Sequence, residues 1–357
     1  MTYLDANATE PLRPEARAAV LAALDLVGNP SSVHAAGRAS RRVLEAARER
    51  LAARYDAPAA GLIFTSGGTE ANALAIHGLG RGRALVVGAT EHDSVRAAAP
   101  GAAVLPADGD GVARLDLLPA LLSEGPALVC LMLANNETGA LQPVAEAAML
   151  CRAAGARLHV DAIQAAGRVP VSLAQLGADS LAISSHKLGG PTGAGALLLA
   201  PGVEIEALVR GGGQERGRRG GTPGVPAIAG FAAAGGAEPP DSLAGLRDRI
   251  EAGAAACGAV PIRAPKRLPN TACLALPGVR AESQVIALDL AGVHVSAGAA
   301  CSSGKVARSH VLEAMGLGTL AGEAIRVSLP WNATEADADA FLAAYADMSR
   351  RLARHAA

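Results

Sequence analysis

Through the first two-thirds of the chain, short apolar runs alternate with longer stretches whose apolar residues recur at helical spacing. The runs lie in GLIFTSGG, ALVVGAT, ALVCLMLAN, RLHVDAI, SLAISSH and GALLLA. Continuous runs of this kind, several closed by Gly or by a helix start, predict strands buried on both faces. Among the longer stretches, PEARAAVLAALDLV and RASRRVLEAARERLAARY are amphipathic, and EANALAIHGLG predicts a helix beginning after Thr69. Buried strands alternating with helices mean an α/β protein with a mostly parallel sheet covered on both sides. Beyond the glycine-rich segment RGGGQERGRRGG the texture changes. PGVPAIAGFAAAGGA is helical in pattern, and EPPDS (Glu238 to Ser242) is a boundary. There follow a helix from Leu243 to Cys257, a strand in NTACLAL and a helix in AESQVIALDLAG. A small-residue stretch around Cys301, a strand in AIRVSLP and a last helix from Thr334 complete the chain. That succession predicts a second, smaller α+β domain. No internal repeat is present.

Composition narrows the function classes. With 357 residues, 50% of them hydrophobic, the chain has material for a large core divided over two domains. Its 32 basic and 33 acidic residues leave a net charge of −1 and no basic block, which argues against nucleic acid as a partner. Aromatic residues are only 2%, too few for a base-stacking platform. Five cysteines, odd in number and without a CxxC pair, fit a reducing cytoplasm better than a disulfide framework or a zinc site. With no apolar run of membrane-spanning length and no signal segment before Asp5, the expectation is a soluble cytoplasmic protein.

The most informative stretch is Ser184 to Gly193, SSHKLGGPTG. The strand in DSLAIS brings Lys187 to a strand's C-terminal end, where open α/β sheets bind ligands. A lysine there serves as a surface charge, a phosphate binder or an amine held for a Schiff base; the stretch alone leaves all three open. Asp161, in HVDAIQAAG, ends the preceding predicted strand. Alone it reads as a helix N-cap, but beside a lysine it suits a pyridine-type cofactor, whose ring nitrogen needs a carboxylate and whose carbonyl needs an amine. In TSGGTEAN, Gly67, Gly68 and Thr69 form a strand-to-helix turn whose N–H groups would bind an anion; the plain alternative is structural punctuation. Ser184 and His186 would add donors. His92, in TEHDSV, could stack on a planar ring or move protons, or be an ordinary surface histidine. Asn135 to Gly139, NNETG, is a turn that could add an amide to the same edge. Arg326 could clamp a carboxylate bidentately or form a surface ion pair. Cys130 and Cys273 lie in apolar strand patterns, Cys151 and Cys257 in helical ones, as inert residues do. Cys301 differs: SAGAACSSGK has no apolar periodicity, so the thiol is accessible, although an exposed loop cysteine is more often incidental than catalytic.

Taken in order, YLDANAT, GNPSSVH, FTSGGTEAN, TEHDSV, NNETG, HVDAIQAAG, ISSHKLGGPTG, RGGGQERGRRGGTP, SAGAACSSG and IRVSL resemble the cysteine desulfurases, the NifS/IscS-like branch of the class V aminotransferases. The resemblance runs over nearly the whole chain. It implies a fold-type-I pyridoxal-phosphate (PLP) enzyme with a mostly parallel sheet of the seven-stranded type. Residues 12–237 would form the large PLP-binding domain, and 1–11 with 238–357 the small domain carrying the Cys301 loop. It further implies Lys187 as the Schiff-base lysine, Asp161 as partner of the pyridine nitrogen and His92 as the stacked ring. Gln164 and Asn136 would lie by the phenolic oxygen. Gly68, Thr69, Ser184 and His186 would hold the phosphate, with Thr222 reaching it from the other subunit of a homodimer. Arg326, helped by Asn7, would take the substrate carboxylate. L-cysteine would displace Lys187, the freed amine or His92 would remove the Cα proton, and the Cys301 thiolate would take the sulfur as a persulfide, releasing L-alanine. The sulfur would pass to an acceptor protein serving iron–sulfur assembly or thio-cofactor and tRNA sulfur supply. No intrinsic metal is implied, though Cys301 could transiently ligate a nascent iron–sulfur cluster. Two other readings remain beside this one: a selenocysteine lyase or other class V enzyme, and an inactive partner-binding scaffold.

Overall fold

The computed structural model describes residues 1–237, 241–298 and 308–356, with side chains to 352. After a two-residue strand β1 (Thr2–Tyr3), the predicted apolar runs become β2 (Leu62–Thr65), β3 (Ala84–Gly88), β5 (Ala127–Met132), β6 (Arg157–Asp161), β7 (Ser180–Ser184) and β8 (Gly195–Leu199). A short β4 (Ala103–Leu105) follows β3. These form one seven-stranded sheet in the order β2-β8-β7-β6-β5-β3-β4. All pairings are parallel except those of β8, which runs antiparallel to both β2 and β7.

Side-chain alternation along each strand feeds two cores. Leu62, Phe64, Val129, Leu131, Leu181 and Ile183 face one side, against Leu44, Leu51, Tyr55 and Phe231. Ile63, Leu128, Cys130, Ala182 and Leu197 face the other, against Ala71, Leu74 and Leu79 of the helix Gly68–Gly80. That helix begins at Gly68, slightly earlier than its periodicity indicates. It is predominantly apolar, as a helix laid on a buried sheet must be.

A second sheet lies in the C-terminal part. It consists of β9 (Val260–Ile262), β10 (Thr271–Ala275), β12 (Ser296–Ala297) and β13 (Ala324–Ser328), antiparallel in the order β12-β13-β10-β9, while β11 (Val293–His294) pairs with β1. Leu274, Ile325 and Val327 face the helices Leu243–Ala256 and Glu335–Ala356, meeting Ile250, Phe341 and Tyr345. Cys273 and Ala275 face Val311 and Leu312 on the other side.

The N-terminal segment joins the two sheets. The Leu4 N–H donates to His294 O at 2.9 Å and its carbonyl accepts from Ser328 at 2.8 Å. A few residues later the Glu10 N–H donates to His186 O and the Arg13 N–H to Gly189 O, both at 2.8 Å. Residues 5–9 therefore cross the C-terminal edge of the large sheet, directly over the turn carrying Lys187.

Candidate active site

In this sheet the parallel strands end on one side, and each carries a polar residue at or beyond its last position. Asp161 closes β6, Ser184 closes β7, and Lys187 ends the single 3-10 turn Ser185–Lys187. His92 caps the short helix after β3, Asn136 follows β5, and the Gly68–Thr69 turn follows β2. A cavity of about 310 Å³ brings these together with Asn7, Gln164, His186 and Arg326. Thr222, expected to act from the other subunit, is not part of this cavity's lining. It is exposed and lines a separate cavity of about 200 Å³ with Ser66, Gly193 and Arg219. Cys301 lies outside the described residues.

Asp161 is buried. One carboxylate oxygen accepts from the Ile163 N–H at 2.9 Å and the other from Asn72 Nδ2 at 2.7 Å. Burial pushes its carboxyl above the ordinary carboxylate range, while the Ile163 N–H, His92, Asn72 and Lys187 draw it back. A desolvated carboxylate of this kind is suited to a cationic N–H partner in the cavity.

At the other end of the same cavity the donors point to an anion. The helix Gly68–Gly80 presents its unsatisfied N–H groups and positive dipole end there. Ser184 Oγ, fully buried, has no hydrogen-bond partner among the described residues. The approach is tight: a Cβ on Gly195 would lie 2.6 Å from the Gly67 backbone, so β8 tolerates only glycine where this turn crosses it. His186 Nδ1 lies 3.0 Å from Thr9 Oγ1, and burial with neighbouring Lys187 and Arg168 lowers its pKa to about 4, so it is neutral near pH 7. An anion grip at one end, a carboxylate at the other and a lysine amine between them fit PLP.

Lys187 Nζ donates to the carbonyls of Asn7 (2.5 Å) and Ala8 (2.8 Å). His92 Nδ1 accepts from the Ser94 backbone N–H at 3.1 Å and lies 2.9 Å from Ser94 Oγ. A backbone N–H only donates, so Nδ1 carries the lone pair and the neutral ring carries its hydrogen on Nε2.

Several polar groups expected at the site are engaged with protein partners. Asn7 Nδ2 donates to Thr271 Oγ1 and Asn136 O, and its Oδ1 accepts from Asn270, so its amide is committed to holding the segment while its carbonyl faces Lys187. Gln164 Nε2 donates to that same carbonyl at 2.9 Å, and its Oε1 accepts from Arg168. Asn136 contributes its carbonyl to Arg326 Nη1 at 3.2 Å. Arg326, buried on β13, also donates from Nη2 to Asp5 at 2.7 Å.

Sequence reasoning passed over Asn72, Ser94, Asp5 and the Ala8 carbonyl. Asn72 stands inside the quoted motif TSGGTEAN, where its burial among apolar helix positions was the available signal. As expected, Cys130 and Cys273 are buried with thiols pushed up, and burial takes Cys151 to about 12. None of the three is a thiolate at neutral pH. Among the described residues no cluster of His, Cys, Asp and Glu could hold a metal ion, and no helix is long and apolar enough to cross a membrane.

The aminotransferase class-V family matches residues 2–341. A cysteine desulfurase of Cereibacter sphaeroides is 43% identical, over 95% of this chain and 93% of the relative. An IscS-like cysteine desulfurase of Mycobacterium tuberculosis is 38% identical, over 96% and 94%. Among solved structures, a NifS-like protein from Rickettsia africae superposes with a TM-score of 0.91 at 32% identity, covering 98% of this chain and 99% of that one. Likeness at this level, over this length and around this lysine-centred cavity, leaves one assignment: the chain belongs to the class V aminotransferases, among the PLP-dependent cysteine desulfurases.

Proposed function

We propose that the cavity around Lys187 is where this cysteine desulfurase removes sulfur from L-cysteine, with the following division of labour among its residues. The observation that carries the proposal is one cavity holding a lysine amine between a buried carboxylate, Asp161, and a helix N-terminus with the Ser184 hydroxyl, unpaired among the described residues. When bound, PLP supplies a carbonyl carbon that captures primary amines and a pyridinium ring that takes up electron density from the substrate's Cα. Lys187 would hold the cofactor covalently, Asp161 would keep its ring nitrogen protonated, and Thr69, Gly68, Ser184 and His186 would hold its phosphate. Thr222, exposed and beyond the cavity, fits a contribution to the partner subunit's phosphate site in a homodimer.

The substrate's carboxylate pairs with Arg326, whose guanidinium is aimed by Asp5. Lys187, whose place on the cofactor the substrate amine would take, has the Asn7 and Ala8 carbonyls as acceptors for its own amine. Because His92 Nδ1 is occupied as an acceptor, the neutral imidazole has no basic nitrogen to offer at Nε2. Lys187 would therefore be the group that takes the Cα proton, and His92 would serve as the ring beside the cofactor. In the sulfur step the Cys301 thiolate attacks the substrate sulfur. The substrate Cβ–S bond breaks, its electron pair stays on carbon and takes a proton, and the products are a Cys301 persulfide and L-alanine. The persulfide sulfur then goes to an acceptor protein for iron–sulfur or thio-cofactor and tRNA sulfur supply.

The same reading takes 12–237 as the PLP-binding domain and 1–11 with 238–357 as the small domain, supported by their separate hydrophobic cores, and places the protein in the cytoplasm. Relatives named as cysteine desulfurases do not favour selenocysteine lyase as its main activity.

The test is purified protein supplied with PLP and L-cysteine. Alanine forms with a reductant present, and Lys187→Ala lowers its rate by at least about 1,000-fold, as loss of a covalent-catalysis group does. Alanine formation at the wild-type rate by Lys187→Ala would refute it.

A further inference from the structure

Behind the cavity lies a connected set of polar side chains, of which the mechanism above does not use Asn72, Ser94, His159 and Ser180. Asn72, wholly inaccessible on the helix Gly68–Gly80, touches three of them. Its Nδ2 donates to Asp161 Oδ2 at 2.7 Å and to Ser94 Oγ at 2.9 Å. Its Oδ1 lies 3.0 Å from His159 Nε2, and His159 Nδ1 lies 2.8 Å from Ser180 Oγ. The directions of these bonds follow from chemistry. A carboxylate only accepts, so the Asn72 NH2 faces Asp161 and its carbonyl faces His159. His159 must then carry its hydrogen on Nε2 and accept from the Ser180 hydroxyl at Nδ1. Ser94 Oγ accepts from Asn72, which leaves its own hydrogen for His92 Nδ1 at 2.9 Å.

We propose that Asn72 is a positioning residue that couples the two faces of the cofactor site, orienting Asp161 directly and His92 through Ser94, with His159 and Ser180 fixing which way its amide points. This rests on the reading of Asp161 as partner of the cofactor's ring nitrogen and of His92 as the stacked ring. Each amide atom of Asn72 is used, so rotating the group would set NH2 against the His159 N–H and oxygen against the carboxylate. A buried network satisfied in only one arrangement holds its members in that arrangement. The consequence is that the carboxylate and the imidazole are set relative to one another before the cofactor arrives.

The test titrates cofactor-free protein with PLP, following the visible circular dichroism of the bound ring, in Asn72→Ala, Asp161→Asn and the double variant. Asn72→Ala raises the dissociation constant roughly 10-fold or more, the loss expected for a hydrogen bond to a charged group, while in the Asp161→Asn background it costs no more than about 2-fold. Asn72→Leu, which fills the space, gives the same result if the alanine variant does not fold. Ser94→Ala, at a half-buried position, supplies an independent arm: the ring's dichroism falls and kcat drops with KM for cysteine unchanged. Thermal destabilisation of the cofactor-free and loaded forms alike, with wild-type PLP affinity, would overturn the proposal, as would penalties that simply add. If Asp161→Asn alone left PLP affinity unchanged, the assignment of Asp161 would be what failed.

Discussion

Arg326 Nη2 and Asp5 Oδ1 lie 2.7 Å apart, an ion pair whose side chains are 3% and 18% exposed and which ties β13 to the N-terminal segment. With Nη1 held by the Asn136 carbonyl, the guanidinium is fixed in orientation from two sides. Holding a long flexible cation in place before substrate arrives removes an ordering cost from binding. Asp5→Asn keeps the size and removes the charge. It should raise KM for L-cysteine by about 3- to 10-fold with a smaller change in kcat, the scale of one weakened charged hydrogen bond. Steady-state alanine production checks this, and an unchanged KM would show that Arg326 needs no brace.

The glycine-rich segment that carries Thr222 is latched by a second buried pair. Arg48 donates to both carboxylate oxygens of Glu215, at 2.7 and 2.8 Å, and Glu215 also accepts from the Phe64 N–H of β2 at 2.9 Å. The latch holds an unfavourable backbone, since Glu215 (φ 48°) and Arg216 (φ 59°) both occupy the left-handed region that non-glycine residues avoid. Glu215→Ala leaves the buried Arg48 with only the more exposed Glu45 as an ionic partner and strips the Phe64 N–H of its acceptor. It should cost about 3–5 kcal/mol in a denaturant titration, the penalty for breaking one half of a buried ion pair. A cost below about 1 kcal/mol, typical of exposed pairs, would mean that the latch is dispensable.

His159 gives a pH signature. Burial lowers its pKa from 6.5 to about 3, so the folded protein keeps it neutral over a range where the unfolded chain binds a proton. The unfolded state therefore holds more protons between these values, and acidification through this window favours unfolding. Relative to His159→Gln, which cannot take up the proton, the wild type should lose about 1.4 kcal/mol per pH unit as pH falls from about 6.5 towards 4. Paired denaturant titrations of the cofactor-free proteins at several pH values measure the difference. A stability difference that does not move against the wild type on acidification would show that His159 is solvated or charged in the folded state.

Much of this site was legible because it is made of strand ends. Apolar runs located six strands of the large sheet, and in a parallel sheet the residues that close them must converge, which brings Asp161, Ser184, Lys187 and His92 together. What escaped has physical reasons. An apolar run carries no direction, so nothing marked β8 as antiparallel. β4, three residues with two exposed, has too little apolar pattern to register. Asn72 was not singled out because a single amide within a helical pattern does not show which side chains it meets on the strands beneath. The acceptors for Lys187 are backbone carbonyls of Asn7 and Ala8, which any residue would supply. Thr222 lies in a separate cavity, a placement that the order of motifs along the chain does not reveal.

The most direct test follows the sulfur itself. Cofactor-loaded protein is incubated with L-cysteine without reductant, and the sulfur bound at each of the five cysteines is mapped by mass spectrometry alongside the alanine released. One added sulfur is expected on the peptide containing Cys301, none on Cys130, Cys151 or Cys273, whose thiols burial holds protonated, together with near-complete loss of alanine formation in Cys301→Ala. Wild-type alanine release by Cys301→Ala, or sulfur carried on another cysteine, would contradict this expectation.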